Sequence, residues 1–322
     1  MTLGEALREA VGRLAESRVG SPRMNAEVLL MFSLGCDRAY LYAHPERALS
    51  QDEQARYDEA LAQRARGVPA QYITGHQEFW GLDFIVNPAV LIPRPETEHL
   101  VEAVLSLARG GAGRGRPPSS FPSVIPFQVE HRTSKTETEA ETIRIVDVGS
   151  GSGCVALALA HELPNAEILA VDISAEALEV ARANAVRLQL DHRVRFEQRD
   201  VLDKVSKVSE VAKVQGETSE TSETFDFVVS NPPYVGASEE DKVQLEVRKY
   251  EPRMAVFAGV EGLDIIRRLI PQACDALSPR GWLLMEIGFS MEAAVRALLD
   301  GWSEVHSFPD LQGIPRVVAA RK

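Results

Sequence analysis

The chain contains 322 residues and carries a formal net charge of −12 at pH 7. Its length favours two domains, and its 45% hydrophobic and 25% charged residues are typical of a soluble globular protein. An acidic chain opposes the binding of a polyanion, so this composition argues against a nucleic-acid substrate and favours a basic protein partner.

The three cysteines, Cys36, Cys154 and Cys274, are scattered, and no two of them form a Cys-x-x-Cys pair. This pattern indicates neither a zinc site nor a disulfide framework, and it suits the reducing cytoplasm. We therefore expect a cytoplasmic protein without a metal site. The first residues, which include Glu5 and Glu9, are unlike a signal peptide, and no apolar run approaches the roughly 20 residues that span a bilayer.

Residues 1–75 are predicted to form a small helical bundle. Apolar residues recur at helical spacing over 3–14 and 26–32, and a more polar helix is predicted over 52–66. Ser21-Pro22 is typical of an N-cap followed by proline at the first helical position. The bundle contains no obvious catalytic set, so we interpret it as a docking domain for a macromolecular substrate, with a purely stabilising appendage as the alternative.

Residues 76–98 are predicted to form a β-hairpin connector. The sequence favours one short strand within 79–88 and a second at 90–92, joined at Asn87-Pro88. The following segment, Pro93-Arg94-Pro95-Glu96-Thr97-Glu98, leads into a helix predicted over 99–109.

Two stretches, 110–141 and 204–224, are rich in Gly, Pro, Ser, Thr and Glu. Such compositions bury too little apolar surface to form a packed core. We predict that both are flexible insertions in a catalytic domain over 99–322.

A strand predicted over 143–148 runs into Gly149-Ser150-Gly151-Ser152-Gly153, and a helix follows from Cys154. Strand, glycine turn and helix open a nucleotide-binding βαβ unit, in which glycines let the backbone approach a ligand. The next strand ends at Asp172, which can accept hydrogen bonds from both hydroxyls of a ribose. NAD enzymes share this loop, so the loop alone does not identify the cofactor.

The strand predicted over 225–230 ends at Asn231-Pro232-Pro233-Tyr234. Each proline fixes its own φ and pushes the preceding residue into extended geometry, which makes a stiff turn. An –NH2 group can donate one hydrogen to the Asn231 side-chain oxygen and the other to the Pro232 carbonyl, and Tyr234 offers a ring for stacking. Together with the glycine loop and Asp172, this turn indicates S-adenosylmethionine (AdoMet) and methyl transfer to an amide or exocyclic nitrogen.

Strands and helices continue to alternate to the end of the chain, which favours a mostly parallel, doubly wound α/β sheet. The last two predicted strands have no helix between them, so the final one is expected to be antiparallel. This is the seven-stranded arrangement of common AdoMet-dependent methyltransferases. The elements predicted after the glycine loop are helices over 175–190, 262–277 and 291–299, and strands over 193–198, 281–287, 303–307 and 316–320.

At this point the chain resembles the PrmC family, also called HemK, over nearly its whole length apart from 110–141 and 204–224. The resemblance rests on Gln71-Tyr72-Ile73-Thr74-Gly75, Glu78-Phe79-Trp80-Gly81-Leu82, the segment 91–98, the glycine loop, Asn231 to Tyr234, Tyr250-Glu251-Pro252 and residues 258–262. It implies methyl transfer from AdoMet to N5 of the glutamine in the Gly-Gly-Gln motif of class 1 peptide-chain release factors, with S-adenosyl-L-homocysteine as product. It also implies a monomer that binds no membrane.

The resemblance further implies roles for individual residues. AdoMet would contact the loop residues Gly149, Ser150, Gly151, Ser152 and Gly153, together with Asp172 at the ribose, Asp200 and Val201 at the adenine, and Asn231. Val201 departs from the aromatic residue that some members have there. The glutamine would contact Asn231, Pro232, Pro233 and Tyr234, with Arg94 and Glu96 from the connector, and the catalytic set would be Asn231, Pro232 and Tyr234.

Several alternatives stay open on sequence alone. A nucleic-acid methyltransferase acting on N6 of adenine or N2 of guanine shares the Asn-Pro-Pro-Tyr turn, but the acidic net charge opposes it. A glutamine methyltransferase of a ribosomal protein is a closer rival, and the 93–98 segment is the main feature that discriminates against it. An NAD-dependent oxidoreductase would need a set of residues for hydride transfer, and the sequence lacks one. A catalytically silent binding module would not need Asn231, which is present.

Overall fold

The structure, a computed structural model, describes residues 1–110, 142–203 and 224–322. The two predicted insertions therefore lie outside the described residues, except for Gly110 and Thr224 at their ends.

The N-terminal region is helical, as predicted. Its helices are α1 (Leu3–Glu16), α2 (Pro22–Leu34), α3 (Arg38–Ala43), α4 (Gln51–Ala65) and α5 (Ala70–Thr74). Capping boxes at Thr2 and Ser50 begin α1 and α4. Ser21 precedes α2, but its φ is 47° and its side chain makes no capping hydrogen bond. Leu14, Leu29 and Tyr57 are fully buried in a core of their own between these helices.

The connector forms a hairpin whose turn lies earlier than the sequence suggested. Strands β1 (His76–Phe79) and β2 (Leu82–Ile85) pair antiparallel around Trp80 and Gly81. A turn does form at Asn87-Pro88, where Val90 N donates to Asn87 O at 3.1 Å, but it follows the hairpin and does not join its strands. The predicted strand at 90–92 is wrong.

The cause of this error is the conformation of Trp80. Both turn residues have positive φ, 57° for Trp80 and 69° for Gly81, which suits a two-residue hairpin turn but is uncommon for a bulky residue. Trp80 is held there by its surroundings: its backbone N–H donates to Glu98 at 2.9 Å, and its ring N–H donates to Glu162 at 3.2 Å. Glu98 and Glu162 are distant in sequence, so local propensity does not reveal the turn.

The C-terminal region is a seven-stranded sheet with helices on both faces, and the predicted fold class is confirmed. The strand order is β5-β4-β3-β6-β7-β9-β8, in which β9 alone is antiparallel to its neighbours. Its strands are β3 (Ile143–Val148), β4 (Ala166–Asp172), β5 (Val194–Gln198), β6 (Phe225–Ser230), β7 (Leu277–Glu286), β8 (Glu304–Pro309) and β9 (Pro315–Arg321). The helices are α6 (Glu98–Gly110), α7 (Cys154–Glu162), α8 (Ala175–Arg187), α9 (Leu245–Tyr250), α10 (Arg253–Val256), α11 (Asp264–Ala276) and α12 (Glu292–Leu298).

Alternate residues of each central strand point to opposite faces of the sheet. Ile145 lies in the core that contains α6 and α7, whereas Val146 lies in the core that contains α11 and α12. Because both faces are covered, the central strands are apolar almost throughout.

In the sheet, β4 lies on one side of β3 and β6 lies on the other, so the direction in which strands are added reverses at β3. In an open parallel sheet, the crevice at such a reversal, outside the carboxyl ends of the strands, is where ligands bind. The glycine loop follows β3, Asp172 ends β4, and Asn231 follows β6, so these three meet at this crevice. No helix among the described residues is long and apolar enough to cross a membrane.

Candidate active site

A cavity of about 320 Å³ opens at this crevice. The structure brings most of the predicted site residues to its wall. Those that line it are Arg94, Gly149, Ser150, Gly151, Ser152, Asp172, Asp200, Val201, Asn231, Pro232 and Pro233. A smaller cavity of about 150 Å³, on the other side of the Asn-Pro-Pro-Tyr turn, adds Tyr234.

The glycine loop exposes backbone at the wall of the larger cavity. Gly149 and Gly151 have φ of +72° and +55°, and a Cβ atom at either position would meet nothing within 4 Å. Gly153 has a different function, since a Cβ there would lie 3.1 Å from Ala181 Cβ. The first two glycines therefore leave space for a ligand, and the third lets α7 pack closely on α8.

Asp172 fastens the loop and keeps acceptor capacity. One carboxylate oxygen accepts from Gly151 N at 2.8 Å, and the other accepts from Ser174 N at 2.9 Å. Each oxygen has a second lone pair, so the carboxylate can still accept from two ligand hydroxyls. Burial raises the pKa of Asp172, and the backbone N–H donors of Ser174 and Gly151 oppose that shift.

Asp147 lies beneath the loop and is only 1% exposed. It accepts from the Ser150 hydroxyl at 2.8 Å. Burial raises its pKa to about 7, because a charged carboxylate is poorly solvated in this position. Ser152 is also buried, and its hydroxyl oxygen has no hydrogen-bond partner among the described residues.

Backbone hydrogen bonds hold the segment after the Asn-Pro-Pro-Tyr turn. Val235 N donates to Val256 O at 3.0 Å, and Ala258 N donates to Val235 O at 2.9 Å. A Cβ on Gly262, whose φ is +76°, would lie 2.2 Å from Tyr234 O. The turn is thus clamped between β6 and the segment that leads into α11.

The two polar side chains of the turn have partners far away in sequence. Asn231 Nδ2 donates to Thr97 Oγ1 at 3.0 Å, and the Tyr234 hydroxyl donates to Glu286 Oε1 at 3.2 Å. Thr97 and Glu286 are each 2% exposed. The Tyr234 ring is fixed through its hydroxyl, and burial raises the pKa of this phenol above its usual range.

The connector contributes Arg94 but not Glu96 to the cavity wall. Arg94 pairs with Glu251 at 2.5 Å, and Glu251 also accepts from Ile92 N at 3.0 Å. Glu96 is exposed and lies outside the residues that line either cavity.

The predicted adenine corner is formed by Asp200 and Val201. Asp200 pairs with Arg268 at 2.8 Å, and Val201, at φ 57°, is buried at the cavity wall. The side chains of Met254 and Phe257 come from α10 and its end and complete the apolar part of the lining.

Sequence reasoning missed Thr97 and Glu286 as partners of the turn. A signal for Glu286 was present, because an acidic residue ends the otherwise apolar run Trp282-Leu283-Leu284-Met285. Thr97 gave no comparable signal, since a threonine before a helix is read as a cap.

A family model described as the PrmC N-terminal domain matches residues 5–75, and one described as a methyltransferase domain matches residues 139–299. A release factor glutamine methyltransferase of Koribacter versatilis is 49% identical over 322 residues, which cover 100% of this chain and 99% of the relative. Proteins with the same description from Moorella thermoacetica and Geobacter sulfurreducens are 39% and 35% identical, over 99% of this chain and 98% and 96% of theirs. The chain belongs to the release factor glutamine methyltransferases. The predicted family is confirmed.

Membership of the release factor glutamine methyltransferases implies AdoMet, and the cavity fits this cofactor. The glycine loop leaves room for close approach, and Asp172 has spare acceptor sites at the end of β4. No group of three or more His, Cys, Asp or Glu side chains in the described part of the chain is arranged to hold a metal ion.

Proposed function

We propose that this enzyme transfers a methyl group from AdoMet to N5 of the glutamine side chain in the Gly-Gly-Gln motif of class 1 release factors. Full-length relatives described as release factor glutamine methyltransferases support this assignment. The single observation that carries it is the placement of Asn231. Its Nδ2 donates to Thr97, and the residue lines the cavity opposite the glycine loop, at the start of the Asn-Pro-Pro-Tyr turn.

On the cofactor side, we propose that Gly149 and Gly151 contact AdoMet through their backbone and that Asp172 accepts from its ribose. Ser150, Ser152, Asp200 and Val201 complete this wall. When bound, AdoMet supplies a methyl group on a positively charged sulfur and leaves as S-adenosyl-L-homocysteine.

On the substrate side, the protein has to hold and activate a weak nucleophile. The lone pair of an amide nitrogen is delocalised into the carbonyl group. Acceptance of its two N–H bonds by Asn231 Oδ1 and the Pro232 carbonyl raises the electron density on nitrogen and fixes its direction. No general base is required before attack, because attack first forms a positively charged, N-protonated N-methyl amide, a strong acid that readily loses its extra proton to water and leaves the neutral product.

The chain divides, in our proposal, into a docking domain over 1–75, a connector over 76–98 and a catalytic domain over 99–322. Among the described residues, two polar contacts join the docking domain to the catalytic domain. Arg64 pairs with Glu246 at 2.8 Å, and the Tyr250 hydroxyl donates to Arg66 O at 2.9 Å. We propose that the enzyme is cytoplasmic, since its proposed substrate is a translation factor. We also propose that it is a monomer.

Mass spectrometry tests the proposal. Purified release factor is incubated with enzyme and AdoMet, and the Gly-Gly-Gln peptide should gain one methyl group on glutamine. Parallel incubations with tRNA, rRNA, DNA and ribosomal proteins cover the nucleic-acid and ribosomal-protein alternatives. Methyl incorporation into one of these, with none into release factor, would refute the assignment.

A further inference from the structure

The amide donor of Asn231 is used inside the protein. Asn231 Nδ2 donates to Thr97 Oγ1, and Thr97 itself is 2% exposed in the turn just before α6. A hydroxyl that accepts a hydrogen bond still has its own proton to donate. Because a buried donor without an acceptor is costly, the Thr97 proton requires an acceptor in the interior.

Glu286, a neighbour of Thr97, offers a free acceptor atom for this proton. It is the last residue of β7 and is 2% exposed. Its Oε1 accepts from the Tyr234 hydroxyl, whereas its buried Oε2 has no hydrogen-bond partner among the described residues. Burial raises the pKa of Glu286 to about 7, and the neighbouring hydroxyls of Thr97 and Tyr234 oppose that shift. The Glu286 carboxyl group thus contacts Tyr234 directly and neighbours Thr97, the partner of Asn231.

An asparagine amide has two orientations of similar shape and opposite hydrogen-bonding character. With Nδ2 on Thr97, Oδ1 is left for the substrate, and in the described part of the chain no donor reaches this oxygen. The flipped amide would present –NH2 to the –NH2 of a substrate glutamine, placing donor against donor. Productive binding therefore depends on whatever fixes the amide.

We propose that Thr97 and Glu286 are positioning residues: Glu286 accepts from the Thr97 hydroxyl, whose lone pair then holds Asn231 Nδ2 and turns Oδ1 towards the substrate amide. This inference rests on the proposed function. Neither residue touches substrate: Thr97 acts through Asn231, and Glu286 acts through Thr97 and also holds the Tyr234 hydroxyl.

The kinetic test uses a matched pair at one position. Thr97→Val keeps the shape of the side chain but removes the hydroxyl, so we expect kcat for release factor to fall about tenfold, the scale of one buried hydrogen bond. KM and the Kd for AdoMet should change less than about twofold. Thr97→Ser, which restores the hydroxyl, should return kcat to within about twofold of the wild type. A Thr97→Val enzyme with wild-type kcat would overturn the proposal.

Double variants test whether the effect passes through Asn231. In an Asn231→Ala background, Thr97→Val should cause no further loss, because the amide that it positions is gone. Glu286→Leu also removes the partner of the Tyr234 hydroxyl, so it should lower kcat at least as much as Thr97→Val, and adding Thr97→Val to Glu286→Leu should cause no further loss. Losses that multiply would mean independent roles and would refute the relay.

A readout independent of activity separates this inference from the proposed function. In protein labelled with ¹⁵N-asparagine, the Asn231 side-chain resonance is assigned by its disappearance in Asn231→Ala. Its amide protons should exchange with solvent faster in Thr97→Val than in the wild type and in Thr97→Ser. Unchanged exchange overturns the positioning role even if glutamine is methylated, whereas faster exchange without glutamine methylation refutes the proposed function alone.

Discussion

Asn184 holds the backbone of Ile85 by both of its polar atoms. Ile85 N donates to Asn184 Oδ1 at 2.6 Å, and Asn184 Nδ2 donates to Ile85 O at 3.0 Å and to Ser152 O at 2.9 Å. One fully buried side chain on α8 therefore joins the end of the β-hairpin to the glycine loop. The connector and the cofactor wall are consequently fixed with respect to each other.

Replacing this side chain should destabilise the whole enzyme. Asn184→Ala leaves an N–H and two carbonyl groups without their partner in the interior, and we expect a loss of about 2–4 kcal/mol in the free energy of unfolding. Urea denaturation followed by circular dichroism measures it. Asn165→Ala, at an exposed asparagine, is the control and should change stability by less than about 0.5 kcal/mol. Equal stability of the two variants would contradict a structural role for Asn184.

Asp147 makes stability depend on pH. Its pKa is raised by burial from 3.8 to about 7, so the folded state binds the proton more tightly than the unfolded state does. The free energy of unfolding should thus decrease as pH rises between these two values, by at most about 1.4 kcal/mol per pH unit, and the loss should persist above pH 7.

Asp147→Asn removes this titration while keeping the shape. The free energy of unfolding of the variant minus that of the wild type should increase by about 2–3 kcal/mol when the pH is raised from 5 to 8. Chemical denaturation at both pH values measures the change, with Asp191→Asn, an exposed carboxyl, as control. A difference between Asp147→Asn and wild type that does not vary with pH would show that Asp147 is not the titrating group.

The sequence predicted the fold well where elements depend on local pattern. The alternation of β and α elements, the antiparallel last strand and the helical N-terminal bundle were all correct. The helices α9 and α10 were missed, since each is shorter than two turns and shows little periodicity.

The predicted site residues are mostly brought together because they follow strands, and parallel strands end at one edge of the sheet. The buried support of the site was not predictable in the same way. Thr97 and Asn231 are 134 positions apart, and Asn184 and Ile85 are 99 apart. Such pairs are decided by tertiary packing, which one sequence does not reveal.

Asp172 should contribute to AdoMet affinity in addition to holding the backbone N–H groups of Gly151 and Ser174. Asp172→Ala removes the proposed acceptor for the two ribose hydroxyls, and charge-assisted hydrogen bonds are worth roughly 1.5–3 kcal/mol, so we expect Kd to rise about tenfold or more. Calorimetry with AdoMet measures it, and Glu179→Ala, at an exposed position on α8, is the control. Unchanged affinity in a folded Asp172→Ala protein would remove this residue from the site.

The N-terminal bundle should affect the protein substrate and not the chemistry. Met24 and Phe32 on α2 are 54% and 50% exposed and lie eight residues apart, on neighbouring parts of one helix face. We expect the double variant Met24→Glu/Phe32→Glu to raise KM for intact release factor at least about fivefold while leaving the Kd for AdoMet unchanged. Steady-state kinetics on intact factor and on a Gly-Gly-Gln peptide separate the two effects. An equal loss on both substrates would argue against docking by this face.

Asn231→Ala is the most direct test of the amide clamp. The substitution leaves the Thr97 hydroxyl without its donor. In the proposed mechanism it also removes the acceptor for one N–H of the glutamine amide, which sets the direction of the nitrogen lone pair. Loss of one preorganised hydrogen-bonding group typically lowers kcat by about 10²–10³, so we expect at least a hundredfold loss here. AdoMet affinity should weaken far less, because the glycine loop and Asp172 remain.

Asn231→Asp separates the acceptor from the charge. It is nearly isosteric and retains oxygens that can accept from glutamine, but it loses the donor to Thr97 and places a negative charge beside the cofactor sulfur. We therefore expect release factor to bind to Asn231→Asp with near-normal affinity, although kcat falls. Single-turnover methylation, followed by mass spectrometry of the glutamine peptide, gives the rate for both variants. If Asn231→Ala methylates glutamine within about threefold of the wild-type rate, two acceptors on the amide are not what activates its nitrogen, even though the chain remains a member of this family.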